Sequence, residues 1–252
     1  MYFLGGENMK IRFLSGNMLK ILAAIFMTVD HIGLMFFPTE RIFRIIGRLA
    51  LPIFAFMISE GARYTKSRVK YLGLIAALAA VCQAVYFFAM GSLDMCILVT
   101  FTLSIIMIYA LDLVKKELSR ELISPVWLSI SVIVFASAVA FSYIFCRYFS
   151  VDYGFRGTLV PLFASLFDTR RIERQLPAWC DSVYIRIFSL GIGLLFLARS
   201  IYATQAYSLL ALPLLCLYSG ERGKLKMKYF FYLFYPLHLV ILEGIYVLIY
   251  GF

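Results

Sequence analysis

Mostly apolar runs recur along the chain, nine in all, beginning near Leu19, Ile42, Tyr71, Met95, Ser124, Tyr153, Val183, Thr204 and Tyr229. A helix needs about 20 apolar residues to cross a hydrocarbon core about 30 Å thick, and most of these runs are near that length. The pattern predicts an all-α, polytopic transmembrane bundle of about nine spans. The sixth run (Tyr153 to Phe167) and the eighth (Thr204 to Tyr218) are short, which fits little tilt or partial insertion. No internal repeat, low-complexity tract or long hydrophilic linker divides the sequence, so residues 1–252 are expected to form one transmembrane domain.

Composition excludes the soluble alternative. Hydrophobic residues make up 63% of the chain and charged residues 15%; average globular chains have roughly 45–50% and about 25%. The formal net charge of +10 says less than its placement, because Lys and Arg concentrate in cytoplasmic loops. Lys10, Arg12 and Lys20 precede the first run, and Arg63, Lys66, Arg68 and Lys70 separate the second from the third. Lys115, Lys116 and Arg120, then Arg170, Arg171 and Arg174, then Arg222, Lys224, Lys226 and Lys228 fill the corresponding later gaps. All fall on one side of an alternating bundle, which predicts the N-terminus inside and the C-terminus outside. Arg41, Arg44, Arg147 and Arg156 depart from this rule, which invites a functional explanation beside the blander one of snorkelling from span ends. Nucleic acid is the weaker explanation of the positive charge, and membrane lipids are the expected surroundings. Cys82, Cys96, Cys146, Cys180 and Cys216 show no metal-binding spacing and read as small core residues. The first run lacks a cleavage site after it and is expected to stay as a span.

Against this background the polar residues at membrane depth carry the functional signal, since a charge at the bilayer centre costs roughly 2.5–3.5 kcal/mol on insertion scales. Asp30 and His31 lie about 15 Å along a helix from Lys20. Arg48 reaches nearly the same level when the second run is followed back from Glu40, and His238 lies a similar distance beyond Lys228. Three helices thus bring Asp, His, Arg and His to one depth, and these are the chain's 2 histidines. Asp30 is expected to face Arg48, because adjacent helical residues diverge by about 100° and Asp30 cannot easily orient His31. Tyr235 and His238 share a helix face, so the phenol is expected to bond the imidazole. Pro236 frees the Tyr232 carbonyl and kinks the helix beside them.

Secondary candidates lie at the two ends. In SVDYGFRGTL, Asp152 is placed to cap the sixth helix, with Tyr153 beside it and Gly154 and Gly157 allowing close backbone approach. Glu60 and Arg63 end the second run next to Lys66 and Arg68, a basic loop suited to anionic headgroups or a phosphate-bearing carrier. A basic inner mouth, a midplane base and an outer opening fit an enzyme that passes a group across the membrane. The rival is a proton-coupled secondary transporter with the same residues as a relay; the missing repeat and the lack of matching broken helices count against it.

LKILAAIFMTVDHIGLMFFP, RIIGRLALPIFAFMISEG, DYGFRG, LLALPLLCLYSGERG and YFFYLFYPLHL together resemble the TraX family of multi-pass membrane proteins, from the first run to the last. The resemblance implies an acetyl-CoA-dependent acetyltransferase of the bacterial cytoplasmic membrane, with pilin as the type acceptor and kinship to acyltransferases that modify envelope glycans. Carried onto this chain, it suggests Arg63, Lys66 and Arg68 for the acetyl-CoA phosphates. His31 becomes the general base or an acetyl carrier, Arg48 held by Asp30 the oxyanion donor, and His238 with Tyr235 the opposite wall. No metal is needed. The acceptor is a pilin-like protein or an envelope glycan or lipid.

Overall fold

The computed structural model describes residues 12–91, 93–170, 182–199, 203–224 and 227–251. Lys10, Arg171, Arg174, Cys180 and Lys226 lie outside them. Among the described residues ten α-helices carry the fold: α1 Gly16–Phe36, α2 Arg41–Gly47, α3 Ala50–Tyr64, α4 Arg68–Met90, α5 Ile97–Leu118, α6 Pro125–Tyr148, α7 Gly154–Ser165, α8 Val183–Ala198, α9 Ala211–Cys216 and α10 Lys228–Tyr250. A 3-10 helix, Ala203–Leu210, leads directly into α9. Local chemistry sets several of the ends. Ser15 and Ser67 cap α1 and α4 by accepting from Met18 and Lys70, Pro125 opens α6, and the left-handed Gly91 closes α4.

Six helical stretches are long and apolar enough to cross a membrane among the described residues: Gly16–Phe36, Arg41–Tyr64, Arg68–Phe88, Ile97–Leu118, Pro125–Tyr148 and Leu233–Tyr250. The runs beginning near Tyr153, Val183 and Thr204 form shorter helices instead, α7 being only 12 residues. Their neighbours explain how they can be short. α7 packs against α3, α5 and α8, and α8 against the 3-10 helix and α9; these segments bury their surface on protein. Val160 of α7 and Leu190 and Leu194 of α8 are fully buried with Ile53, Phe56 and Ile105. α4, α6 and α10 are the opposite case, with 17% of each apolar window buried, and they form the outer wall.

The second expected run is not continuous: it breaks at Arg48–Leu49 between α2 and α3. Pro52 is the cause, because it has no N–H for the Arg48 carbonyl and its ring clashes with that group. The same tetrapeptide, Leu-Ala-Leu-Pro, occurs as Leu49–Pro52 and Leu210–Pro213. At the second copy the 3-10 helix gives way to α9, and Pro213 denies a donor to Leu209 in the same manner. The expectation of unbroken helices is therefore corrected at both places.

Backbone hydrogen bonds tie the loops at each end. On the face where α1 begins, Leu14 N–H donates to Leu217 O (3.0 Å), Ser219 N–H to Leu14 O (2.8 Å) and Gly16 N–H to Glu221 O (2.8 Å). This face also carries the last turns of α3 and α5, with Arg63 and Lys115, and the loop holding Lys66, and is called the basic face below. On the far face, Met95 N–H donates to Ser150 O (2.7 Å) and Asp152 N–H to Met95 O (2.9 Å), joining the α4–α5 and α6–α7 loops.

Candidate functional site

α1, α2, α5, the α6–α7 loop and α10 enclose a cavity of about 470 Å³ toward the far face, and Asp30, His31, Arg44, Arg48, Asp152 and Tyr153 line it. Glycines let α1 and α2 approach closely enough to build it. A Cβ on Gly33 would overlap Phe43, and one on Gly47 would overlap the Asp30 carboxylate. Asp30 thus lies directly against the last turn of α2.

The two histidines meet. His31 Nδ1 and His238 Nε2 are 2.9 Å apart, and the rings are nearly parallel. His238 Nδ1 lies 3.0 Å from the Phe234 carbonyl, an acceptor, so this nitrogen carries the proton. With both rings neutral, Nε2 of His238 accepts, Nδ1 of His31 donates, and Nε2 of His31 keeps a free lone pair on a ring that lines the cavity. Phe234 stacks on His238 within 4° of parallel and holds the second ring in place. The matching depth expected of His31 and His238 is thus a direct contact.

Arg48 sits at the helix break and is buried. Its Nη1 donates to Tyr153 Oη (3.2 Å) and to Gln205 Oε1 (3.1 Å) of the 3-10 helix. Its Nη2 stands 3.9 Å from Asp30 Oδ1, beyond hydrogen-bond reach, and remains able to donate into the cavity. The short partner of Asp30 is Arg44 Nη1 at 2.7 Å. Asp30 therefore faces Arg44 first and Arg48 second, a correction to the expected Asp30–Arg48 pair. Arg44 lies one turn before Arg48, so both can turn toward α1.

Other expectations shift in detail. The Tyr235 ring meets the His238 ring edge-on with centroids 5.5 Å apart, and the imidazole bonds His31 rather than the phenol. Tyr153, not Asp152, is the N-cap of α7, in a left-handed conformation (φ 60°) followed by Gly154 (φ 56°). Asp152 contributes its carbonyl, which accepts from Thr100 Oγ1 at 2.7 Å and anchors the loop on α5.

A second cavity, of about 480 Å³, opens toward the basic face and is lined by Asn17, Lys20, Glu60, Tyr64, Tyr218 and Arg222, among others. The residues expected to hold donor phosphates are elsewhere. Arg63 lies 3.5 Å from Asp168, Arg68 pairs with Asp112 at 2.6 Å, and Lys66 is exposed outside the cavity wall. The cations that do line the wall are Lys20, whose ammonium stands over the Phe231 ring, and Arg222. Glu60 is the one carboxylate among the lining residues, and it is taken by Arg186 (2.5 Å) and the Tyr218 hydroxyl (2.9 Å). Arg186 is 2% exposed. Leaving such a charge unpaired costs about 3–5 kcal/mol, so Glu60 serves the fold at this wall.

A narrower apolar chamber of about 160 Å³ lies between the cavities. It shares Met27, Phe54, Phe101 and Tyr235 with the far-side cavity, and Lys20, Met57, Gly61, Tyr71 and Phe231 with the basic-side one. The three spaces abut in series through the core of the bundle.

Five residues at these sites are not singled out by the sequence pattern. Arg186 had a signal, being a charge inside an apolar run like Arg48. Gln205 had one too, since the repeated Leu-Ala-Leu-Pro marks a second helix break opposite the first. Arg44 stands out only as a departure from the charge rule, and Lys20 and Arg222 only as orientation charges.

Six long apolar helical stretches among the described residues, with a histidine pair and a paired carboxylate held between them, define a polytopic helical membrane protein with a polar site inside the bundle. The TraX protein family model matches residues 15–246, and the chain belongs to that family. It is 28% identical over 247 residues to the probable fimbrial assembly protein FimC, serogroup H1, of Dichelobacter nodosus, covering 90% of this chain and 94% of that protein. A 40-residue stretch, 16% of each chain, is 58% identical to the uncharacterized protein RP591 of Rickettsia prowazekii (strain Madrid E). No solved structure matches.

Proposed function

We propose that this protein is a membrane acyltransferase that moves an acetyl group from cytosolic acetyl-CoA to an acceptor amine or hydroxyl at the far face. The observation that carries the reading is the series of spaces: a cation-lined cavity, an apolar neck, and a cavity lined by His31 of the histidine pair. From Lys20 to His31 is about 16 Å along α1, a reach suited to the extended arm of coenzyme A. Lys20 and Arg222 meet the donor phosphates, the neck shields the thioester from water, and the acetyl carbonyl arrives beside His31 and Arg48.

His31 Nε2 takes the proton of the acceptor as it attacks the thioester carbonyl. The imidazolium so formed keeps its Nδ1–H on His238, which is held by the Phe234 carbonyl. Arg48 Nη2 donates to the tetrahedral oxyanion, with Arg44 and Asp30 balancing the local charge. Collapse breaks the carbon–sulfur bond, and His31 returns the proton to the departing thiolate. In this reading the basic face is cytoplasmic, with the N-terminus inside and the C-terminus outside. The chain then crosses the bacterial cytoplasmic membrane nine times, the short central segments crossing within protein. The name of the FimC relative favours a fimbrial or pilin-like subunit as acceptor, ahead of an envelope glycan or lipid.

The test is release of free CoA from acetyl-CoA by the purified protein in nanodiscs, with His31→Ala alongside. Slow hydrolysis or self-acetylation that disappears in the folded variant supports the reading. If acetyl-CoA neither binds nor raises the melting temperature far above a micromolar concentration, the donor assignment fails. The histidine pair would then have to be read as a proton relay.

A further inference from the structure

Part of the far-side cavity wall is a thiol that the acyl-transfer reading does not use. Cys96 is the N-cap of α5 and lines that cavity. Its Sγ approaches the Ala79 carbonyl of α4 at 3.9 Å. The Cys96 N–H donates to Gln83 Oε1 (3.3 Å), and Gln83 Nε2 donates to Asp94 O (3.1 Å). Residues 94–96 are thereby held against the turn of α4 that runs from Ala79 to Gln83. Cys82 belongs to that turn. It shares a helix face with Ala79, whose carbonyl the Cys96 Sγ approaches, both are buried, and the Cys82 and Cys96 thiols are close enough to interact. Both thiols are free.

We propose that Cys82 and Cys96 form a reversible disulfide that staples α4 to the rim of the far-side cavity. The inference does not depend on acyl transfer. Cys96, although only 3% exposed, is the attacking residue because it lines the cavity, whereas Cys82 is fully buried and does not. The neighbouring Cys82 thiol holds the Cys96 thiol below its ordinary value, and the N–H groups of Leu98 and Val99 at the start of α5 add to this against the opposing effect of burial. The oxidant is a small-molecule or protein disulfide. Cys96 thiolate attacks one of its sulfurs and expels one thiol, giving a mixed disulfide. Cys82 then loses its proton, attacks Cys96 Sγ and expels the second thiol. The protein gives up two protons and two electrons, and the oxidant's disulfide becomes two thiols.

The staple acts on the site through backbone already in place. Met95 is bonded to Ser150 and Asp152, and the next residue, Tyr153, accepts from Arg48. Fixing Cys96 on α4 therefore fixes the edge of the cavity against which Arg48 is held. Under the charge-based orientation the far face lies outside the cytoplasm, where thiols oxidise.

The experiment exposes the reduced full-length protein in nanodiscs to oxidised glutathione, alkylates remaining thiols after denaturation, and digests without reductant for mass spectrometry. The expected result is a linked Cys82–Cys96 peptide, with loss of two alkylatable cysteines per chain. The oxidised protein should also melt at a higher temperature, reversed by dithiothreitol. In Cys82→Ser the glutathione adduct should stop on Cys96. A wild-type protein whose Cys96 carries glutathione without the link, or whose Cys82 and Cys96 are both still fully alkylated, overturns the proposal.

Discussion

The two cavities are almost equal in volume, about 470 and 480 Å³, and they are built on opposite principles. At the far side the groups restrain one another: Asp30 holds Arg44, Arg48 is held by Tyr153 and Gln205, and His31 is held by His238. At the basic side the wall's carboxylate is taken by Arg186, and Lys20 and Arg222 face the space among aromatic rings. A restrained network presents donors and acceptors in fixed directions, which stabilises charge as it develops in a reaction. Flexible cations attract an anion without demanding one pose. Far-side substitutions should therefore change turnover, and basic-side substitutions should change apparent affinity.

The sharpest break in that contrast is His31→Ala. Loss of a general base lowers turnover by about 10² to 10⁴-fold, and CoA release should fall by that factor with the melting temperature little changed. Gly47→Ala comes next, although it touches no reacting atom. The added methyl overlaps the Asp30 carboxylate, so Asp30 and the α2 arginines must move. A misplacement near 1 Å costs about 10²-fold in rate. A variant with wild-type CoA release would show that the Asp30–Arg44 arrangement is not required. His238→Gln is milder, because it removes the ring that orients His31 and leaves the base. Losses from such supporting partners run about 10- to 100-fold, and the same CoA assay should place it between wild type and His31→Ala.

The sequence reveals the far side better than the basic side, for a physical reason. Charge inside an apolar run is costly, so Asp30, His31, Arg48 and His238 stand out against their neighbours, and helical rise alone assigns them one depth. Directions are harder to read. Whether Asp30 turns to Arg44 or Arg48 depends on the Pro52 break, and whether His238 bonds Tyr235 or His31 depends on the packing of α10 beside α1. At the basic face cations are expected in every loop, and nothing in the spacing separates Arg63 and Arg68, consumed by Asp168 and Asp112, from Lys20 and Arg222. The bundle class is plain from the apolar runs. The short α7 is already visible in the short sixth run, but the shortness of α8 is not, since a segment buried on protein and one facing lipid are equally apolar.

The smallest expected effect tests the basic side of the contrast. Lys20→Ala and Arg222→Ala each remove one cation from the wall without disturbing an ion pair among the described residues, and the cavity opens toward the basic face, so screening limits each contribution to about 1 kcal/mol. Each should raise the KM for acetyl-CoA roughly fivefold while kcat stays near wild type, and the difference should shrink in high salt. Arg63→Ala provides the opposing case, because it strips Asp168 of a partner and changes no residue of the cavity wall. It should lower the melting temperature and leave KM unchanged. Measuring KM and Tm for all three variants separates a wall that binds the donor from a face that is merely positive. If Arg63→Ala raises KM and Lys20→Ala does not, the donor phosphates lie on the basic loop rather than in the cavity.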